Sequence, residues 1–218
     1  MSQKLTTVQK QYSDTVKGLN GQKAQALAKV DKQQKEYEAK LKIARDKKDA
    51  AKDKEVAFYN AMAVTGTQKT AVQTYVTEKK AAIDERRATY DTNRATYQQV
   101  VKNAWSAYYD GLAQAHATAR DAMATAVANA IQGCTDKVAK DKLTTYKEAI
   151  NKIKADRNKA INGDANADPV IVGLKQVRKD TVKAALEAKQ AANKTAQQAF
   201  ETRITAAQDA VRTALGLK

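Results

Sequence analysis

The sequence predicts an all-α protein: an elongated antiparallel bundle or coiled coil of long helices, about three helices in cross-section. Three observations carry that expectation. Roughly a fifth of the chain is Ala, the strongest helix former, and Lys, Arg and Gln are frequent. One Pro and 8 Gly in 218 residues leave little to interrupt a helix. Apolar residues recur at spacings of three and four, while β-branched residues stand singly instead of in alternating runs. Alanine lets helix axes approach but buries little area. At about 25 cal/mol per Å² a seam of this kind needs length to become stable. The whole chain, 1–218, is therefore expected to form a single elongated helical domain.

The first helix is expected over about 3–64. Its stripe begins with Leu5, Val8, Tyr12, Val16 and Leu19. Gly18-Leu19-Asn20-Gly21 offers a break or kink, because glycine weakens a helix interior. The stripe resumes through Leu27, Val30, Tyr37, Leu41, Ala44 and Ala51 to Phe58 and Met62, with charged residues between, as a solvated face requires. Val64-Thr65-Gly66-Thr67 is the first clear turn. Gly66 suits a left-handed C-terminal position there, and Thr67 suits a cap for the next helix.

The second helix is expected over about 68–132. Its stripe is Val72, Val76, Ile83, Tyr90, Tyr97, Val101, Tyr108, Leu112, Ala115, Ala119, Met123, Val127 and Ile131. Such a stripe spans roughly 95 Å at 1.5 Å rise per residue and needs partner helices along its length. Arg87-Ala88-Thr89-Tyr90 recurs seven residues on as Arg94-Ala95-Thr96-Tyr97, which places both tyrosines on one face. Gly133 suits the end of this helix and Thr135 the start of the next. A third helix over about 136–161 carries Val138, Leu143, Tyr146, Ile150, Ile153 and Ile161. A polar loop, 162–168, follows. Asp168 then suits an N-cap with Pro169 at the first position of a fourth helix over about 169–215.

The net charge is +15. Residues 1–64 hold 14 basic and 8 acidic side chains, 65–134 hold 8 and 6, and 135–218 hold 17 and 10. The middle segment is the least charged and is expected to be the central helix. The outer segments carry a field that suits polyanions such as nucleic acid or anionic lipid, although solvated helix faces with a lysine bias would carry the same charge. Cys134 stands alone, so no intrachain disulfide forms. No apolar run approaches the ~18 residues of a membrane span, and no apolar stretch follows Met1-Ser2-Gln3-Lys4, so no signal peptide is expected in this sequence. Asp exceeds Glu about two to one, a lean toward an exported or cell-envelope protein whose leader has been removed, with a cytoplasmic protein as the alternative.

Catalysis has few candidates. His116 lies beside the apolar stripe with no Cys or His at ligand spacing and reads as a structural residue. Cys134 reads as a small residue at a turn. Asp164, Asn166 and Asp168 stand at positions one, three and five of a possible calcium loop. Pro169 then replaces the required Gly and Lys175 the bidentate Glu, so a polar turn is the expectation. Tyr90, Tyr97 and Tyr108 follow the stripe and read as core. Trp105 and Tyr109 fall off it and are the candidate surface contacts, with Arg86, Arg87, Arg94 and Lys102 as basic neighbours able to flank stacked bases or sugars. No cofactor is expected.

The expected function is accordingly non-enzymatic: a structural or interaction protein acting as spacer, filament subunit or surface component, with a protein partner or self-association. The alternative is a basic polyanion-binding protein whose binding is weak and non-specific.

Overall fold

The computed structural model describes residues 2–132, 139–167 and 172–217; for residues 2–5 and 8 it describes only the backbone. The protein is an all-α bundle. Four helices follow one another: α1 (Ser2–Met62), α2 (Gly66–Ile131), α3 (Ala139–Asn162) and α4 (Leu174–Leu215). The described residues contain no β-strand beyond an isolated bridge position at Asp164. The chain divides into two compact units. Unit 1 comprises 1–30 and 100–183, and unit 2 comprises 31–99 and 184–218.

In unit 2, α1 and α2 run antiparallel, since partners advance in one as they retreat in the other: Arg45 with Asp91, Asp49 with Arg87, Glu55 with Lys79. Helix α4 runs antiparallel to α2 by the same criterion, through Asn93 with Asn193 and Glu78 with Arg203. The apolar core is small: Tyr59, Ala63, Val72, Tyr75 and Val211, with Val76, Ala207, Leu215 and Leu217 against it. In unit 1 the seam is apolar. Tyr12, Ala119 and Met123 are buried together with Ile150 and Ile153 of α3 packed on them. Ala104, Leu112, Val127 and Ala130 extend the buried face of α2. In each unit α2 is the most buried helix. Buried side chains of α4 are limited to Val211, and α3 has none.

Several expectations need correction. Helix α1 runs unbroken through Gly18-Leu19-Asn20-Gly21. The two glycines face open space, and buried Leu19 holds the turn to its neighbours, which offsets a propensity cost of about 1 kcal/mol per glycine. Gly66 is not a left-handed C-terminal residue but the first residue of α2. The cap is Thr65, not Thr67. Its Oγ1 accepts from the Gln68 N–H at 3.2 Å, and the Gln68 Oε1 accepts from the Thr65 N–H at 3.0 Å, a reciprocal capping box. Among the described residues the left-handed glycines are Gly163, after α3, and Gly216, after α4. At Gly216 the N–H donates to the Thr213 carbonyl and that of Leu217 to the Arg212 carbonyl, which closes α4 with a Schellman motif.

Helix α4 begins at Leu174, five residues later than expected, and Gly173 caps it by accepting from the N–H groups of Gln176 and Val177. Gly173 lies so close to the end of α3 that a Cβ would sit 2.2 Å from the Asn162 carbonyl carbon. No other residue fits there without moving backbone. Gly133, Cys134, Thr135, Asp168 and Pro169 lie outside the described residues. The expected stripes also shift by one residue at two helix ends. Tyr59 is buried where Phe58 was expected and Phe58 is 56% exposed; Ala130 is buried where Ile131 was expected. Tyr37 is exposed as well.

Candidate functional site

The six expected contact residues fall into two groups. Trp105, Tyr109 and Lys102 belong to unit 1, and Arg86, Arg87 and Arg94 to unit 2. In unit 1 the rings of Trp105 and Tyr109, one helical turn apart on α2, stack with centroids 5.9 Å apart and planes at 20°. Tyr108 meets Trp105 edge-on at 6.1 Å. All three rings are half-buried. From α4 the Arg178 guanidinium lies 3.9 Å above the Trp105 ring and 5.3 Å from that of Tyr108. A desolvated cation over an indole is stabilised by the ring quadrupole. The Arg178 Nε is buried with no hydrogen-bond partner. Sequence reasoning missed Arg178, because nothing local ties an arginine on α4 to a tryptophan on α2. Lys102 is half-buried and engaged within the protein.

In unit 2 the three arginines are engaged with their own bundle. Arg87 forms a two-pronged pair with Asp49, at 2.8 and 3.1 Å. Arg94 pairs with Asp91 at 3.0 Å and lies 5.7 Å from the Tyr37 ring. Arg86 donates to the Gln197 Oε1 at 3.0 Å and stacks 3.6 Å over Phe200. Arg45, from α1, forms the same fork with Asp91, at 2.7 and 3.0 Å. Planar forks of this kind fix geometry as well as charge. They hold the carboxyls of Asp91 and Asp49 below their ordinary range, chiefly through the hydrogen bonds from Arg45 and Arg87.

A buried triad lies nearer the turn. Lys79 donates to Glu55 and, at 2.8 Å, to the Tyr75 hydroxyl, which itself donates to Glu55. Burial pushes the Glu55 carboxyl up, but the hydrogen bonds from Lys79 and Tyr75 outweigh it and hold the group low. Burial, then Glu55, pushes the Tyr75 phenol well above its ordinary value. The Lys79 ammonium, on a residue only 8% exposed, is met by the Glu55 carboxylate, which offsets the cost of burying a charge.

The loop after α3 is a local turn. Asp164 pairs with Lys159 at 2.9 Å through Oδ2, and its Oδ1 accepts from the Asn166 N–H at 3.1 Å. That is an Asx turn. Both carboxylate oxygens are thereby occupied, and Asp168 lies outside the described residues. No group of three or more His, Cys, Asp or Glu that could hold a metal occurs among the described residues. His116 packs 5.9 Å from the Tyr12 ring; burial, with the Arg157 charge, lowers its pKa and favours the neutral imidazole. No described helix is long and apolar enough to cross a membrane. No protein-family model, curated protein or solved structure matches the chain.

Proposed function

We propose that this protein is a non-enzymatic structural or interaction protein, a helical spacer, filament subunit or surface component. One observation carries the reading. In unit 2 four cations are committed to carboxylates across helices, in Arg45–Asp91, Arg87–Asp49, Lys79–Glu55 and Arg203–Glu78. Such pairs fix the register between helices, the use for which buried ionic groups are best attested. A spacer needs helices that hold register over many turns, and α1 and α2 have 61 and 66 residues. Small-angle scattering on the purified protein tests it. The expected radius of gyration is well above the roughly 17 Å of a compact domain of this length. A value near 17 Å refutes the spacer reading.

The second reading, a polyanion-binding protein, is favoured by α3. That helix leaves Lys140, Lys147, Lys152, Lys154 and Lys159 exposed and has no buried residue. Exposed lysines also occur along α1 and α4, so binding would be spread over many weak contacts. Retention on duplex DNA should then fall steeply with salt, with a slope of about −0.9 per neutralised phosphate, and Lys179→Ala should change it little. Absence of retention at low salt removes this reading.

A further inference from the structure

The three helices of unit 2 line an open cavity of about 360 Å³ whose wall carries six cationic side chains and the carboxylates of Asp49 and Glu55. Arg45, Lys48 and Lys52 line it from α1, and Lys79, Arg86 and Arg87 from α2. Three of these six charges are matched across helices, by Asp91, Asp49 and Glu55. The other three are not. Lys48 makes no ion pair or hydrogen bond among the described residues; Lys52 pairs with its chain neighbour Asp53, at 3.6 Å, with that carboxylate turned to solvent, and its charge also acts on Asp49 of the same helix. Arg86 is half-buried and touches neutral groups, the Gln197 amide oxygen and the Phe200 ring.

Arg86 is the informative residue. A guanidinium does not give up its proton at accessible pH, so a desolvated one needs a compensating anion. Burial, the largest influence, and adjacent Arg87 disfavour its charge where it stands, and outweigh the opposing pull of Tyr90 and of Glu201, a carboxylate that Gln197 holds by its amide N–H. Gln197 takes one N–H, and Phe200 covers one face of the plane without using the in-plane donors. The remaining donors form half of the fork that recognises carboxylate or phosphoryl oxygens. Lys48 and Lys52, one turn apart on α1, add two mobile ammonium groups to the same wall.

We propose that this cavity binds a small, free, multiply charged oxyanion of the pyrophosphate class, held by Arg86, Lys48 and Lys52. Three positive charges with no ion pair to another helix suit an anion carrying two to four negative charges, and the volume accommodates a two-phosphoryl group with some water. Bound there, the anion bridges α1 and α2 and tightens unit 2.

Calorimetric titration of the full chain with pyrophosphate is the test. The expected result is saturable binding of one anion per chain. Arg86→Gln and Lys52→Gln are each expected to weaken it at least tenfold, and Lys179→Gln, on an exposed residue of unit 1, to leave it unchanged. Circular dichroism checks that the variants are folded. Should Arg86→Gln unfold the bundle, Lys52→Gln and Lys48→Gln, on less buried residues, decide the matter alone. No saturable binding, or equal weakening by all variants including Lys179→Gln, overturns the proposal. Co-sedimentation with phosphatidic-acid vesicles in the absence of pyrophosphate binding also overturns it, because the phosphoryl group would then belong to a lipid surface.

Discussion

Where α1 faces α2 in unit 2, the helices are joined by guanidinium–carboxylate forks and a lysine–glutamate–tyrosine triad. Where the same two helices face each other in unit 1, alanines, Leu112 and a Tyr12 hydroxyl on the Met123 sulfur at 3.5 Å fill the seam, and the Lys23–Asp110 pair lies at the surface. One antiparallel pairing is thus held by two kinds of chemistry. The apolar seam is non-directional and tolerates sliding at a modest cost, since one alanine resembles the next. The charged seam has one register that satisfies every partner, and a shift by one turn would set like charges opposite each other. Unit 2 therefore adds register-setting charge pairs to its apolar core, while the seam of unit 1 relies on apolar burial.

Several experiments break or sharpen this contrast. The largest effect is expected at the triad. Glu55→Leu strands the Lys79 charge in a buried site and should destabilise unit 2 by about 3 kcal/mol, while Glu55→Leu with Lys79→Leu should recover most of the loss. Chemical denaturation of both variants measures it. A double variant as unstable as the single would mean that packing, not charge, carries this seam.

In unit 1 the comparable change is Leu112→Ala, expected to cost about 2 kcal/mol through lost burial and the cavity left behind. No second substitution at a charged partner should rescue it. Trp105 is the one tryptophan of the chain and lies in unit 1, so its fluorescence reports that unit directly. If Lys23→Ala costs as much as Leu112→Ala, the apolar description of unit 1 is wrong.

A smaller difference should appear in pH dependence. The folded state lowers the His116 pKa. Stability from this group is fully present above its unfolded value of about 6.5 and is lost as pH falls through the lower native value. Asp91 is also depressed, by Arg45, so its contribution is present above about 3.9 and fades below that. On acidification unit 1 should soften first and unit 2 only near the carboxylate range. Trp105 fluorescence, set against amide exchange at Tyr59 and Tyr75, follows the two units separately. His116→Gln should abolish the earlier step; if the step survives, another group causes it.

The smallest effects belong to the turn between α1 and α2. Thr65→Ala removes the capping box and should cost about 1 kcal/mol. Gly66→Ala should be neutral or stabilising by up to about 0.5 kcal/mol, because Gly66 is helical and a Cβ there meets nothing. Thermal unfolding of the two variants should move in opposite directions or by clearly different amounts. A destabilised Gly66→Ala would restore the left-handed reading of that glycine.

Much of the fold could be read from the amino acids because helix periodicity is a local signal. The ends of α1 and α2 near residue 65, the inward placement of Val72, Ile83, Leu112, Ala119, Met123 and Val127, and the separation of α3 from α4 all follow from it. Errors arose where two adjacent residues were equally apolar. Phe58 and Tyr59 differ by 100° around α1, and only the T-shaped contact of Tyr59 with Tyr75, 5.2 Å between centroids, selects the tyrosine. The start of α4 was misread because Asp168-Pro169 is a strong local start signal. The close approach of Gly173 to the end of α3 is a tertiary constraint that leaves no local mark.

The site was less legible for the same reason. Arg86, Arg87 and Arg94 stood out as basic residues near tyrosines, but Asp49, Asp91 and Gln197 choose which of them are neutralised, and two of those partners come from other helices. By itself the sequence determined the helical state, the lengths of α1 and α2 and the excess of positive charge, because propensity, breaker content and charge count are properties of each residue and its near neighbours. Only the tertiary structure decided which charges are matched and which are left facing a cavity. Electrostatic pairing acts over a few ångströms in space, and along a long antiparallel pair of helices, residues a few ångströms apart can be more than a hundred positions apart in the chain, as Tyr12 and Met123 are.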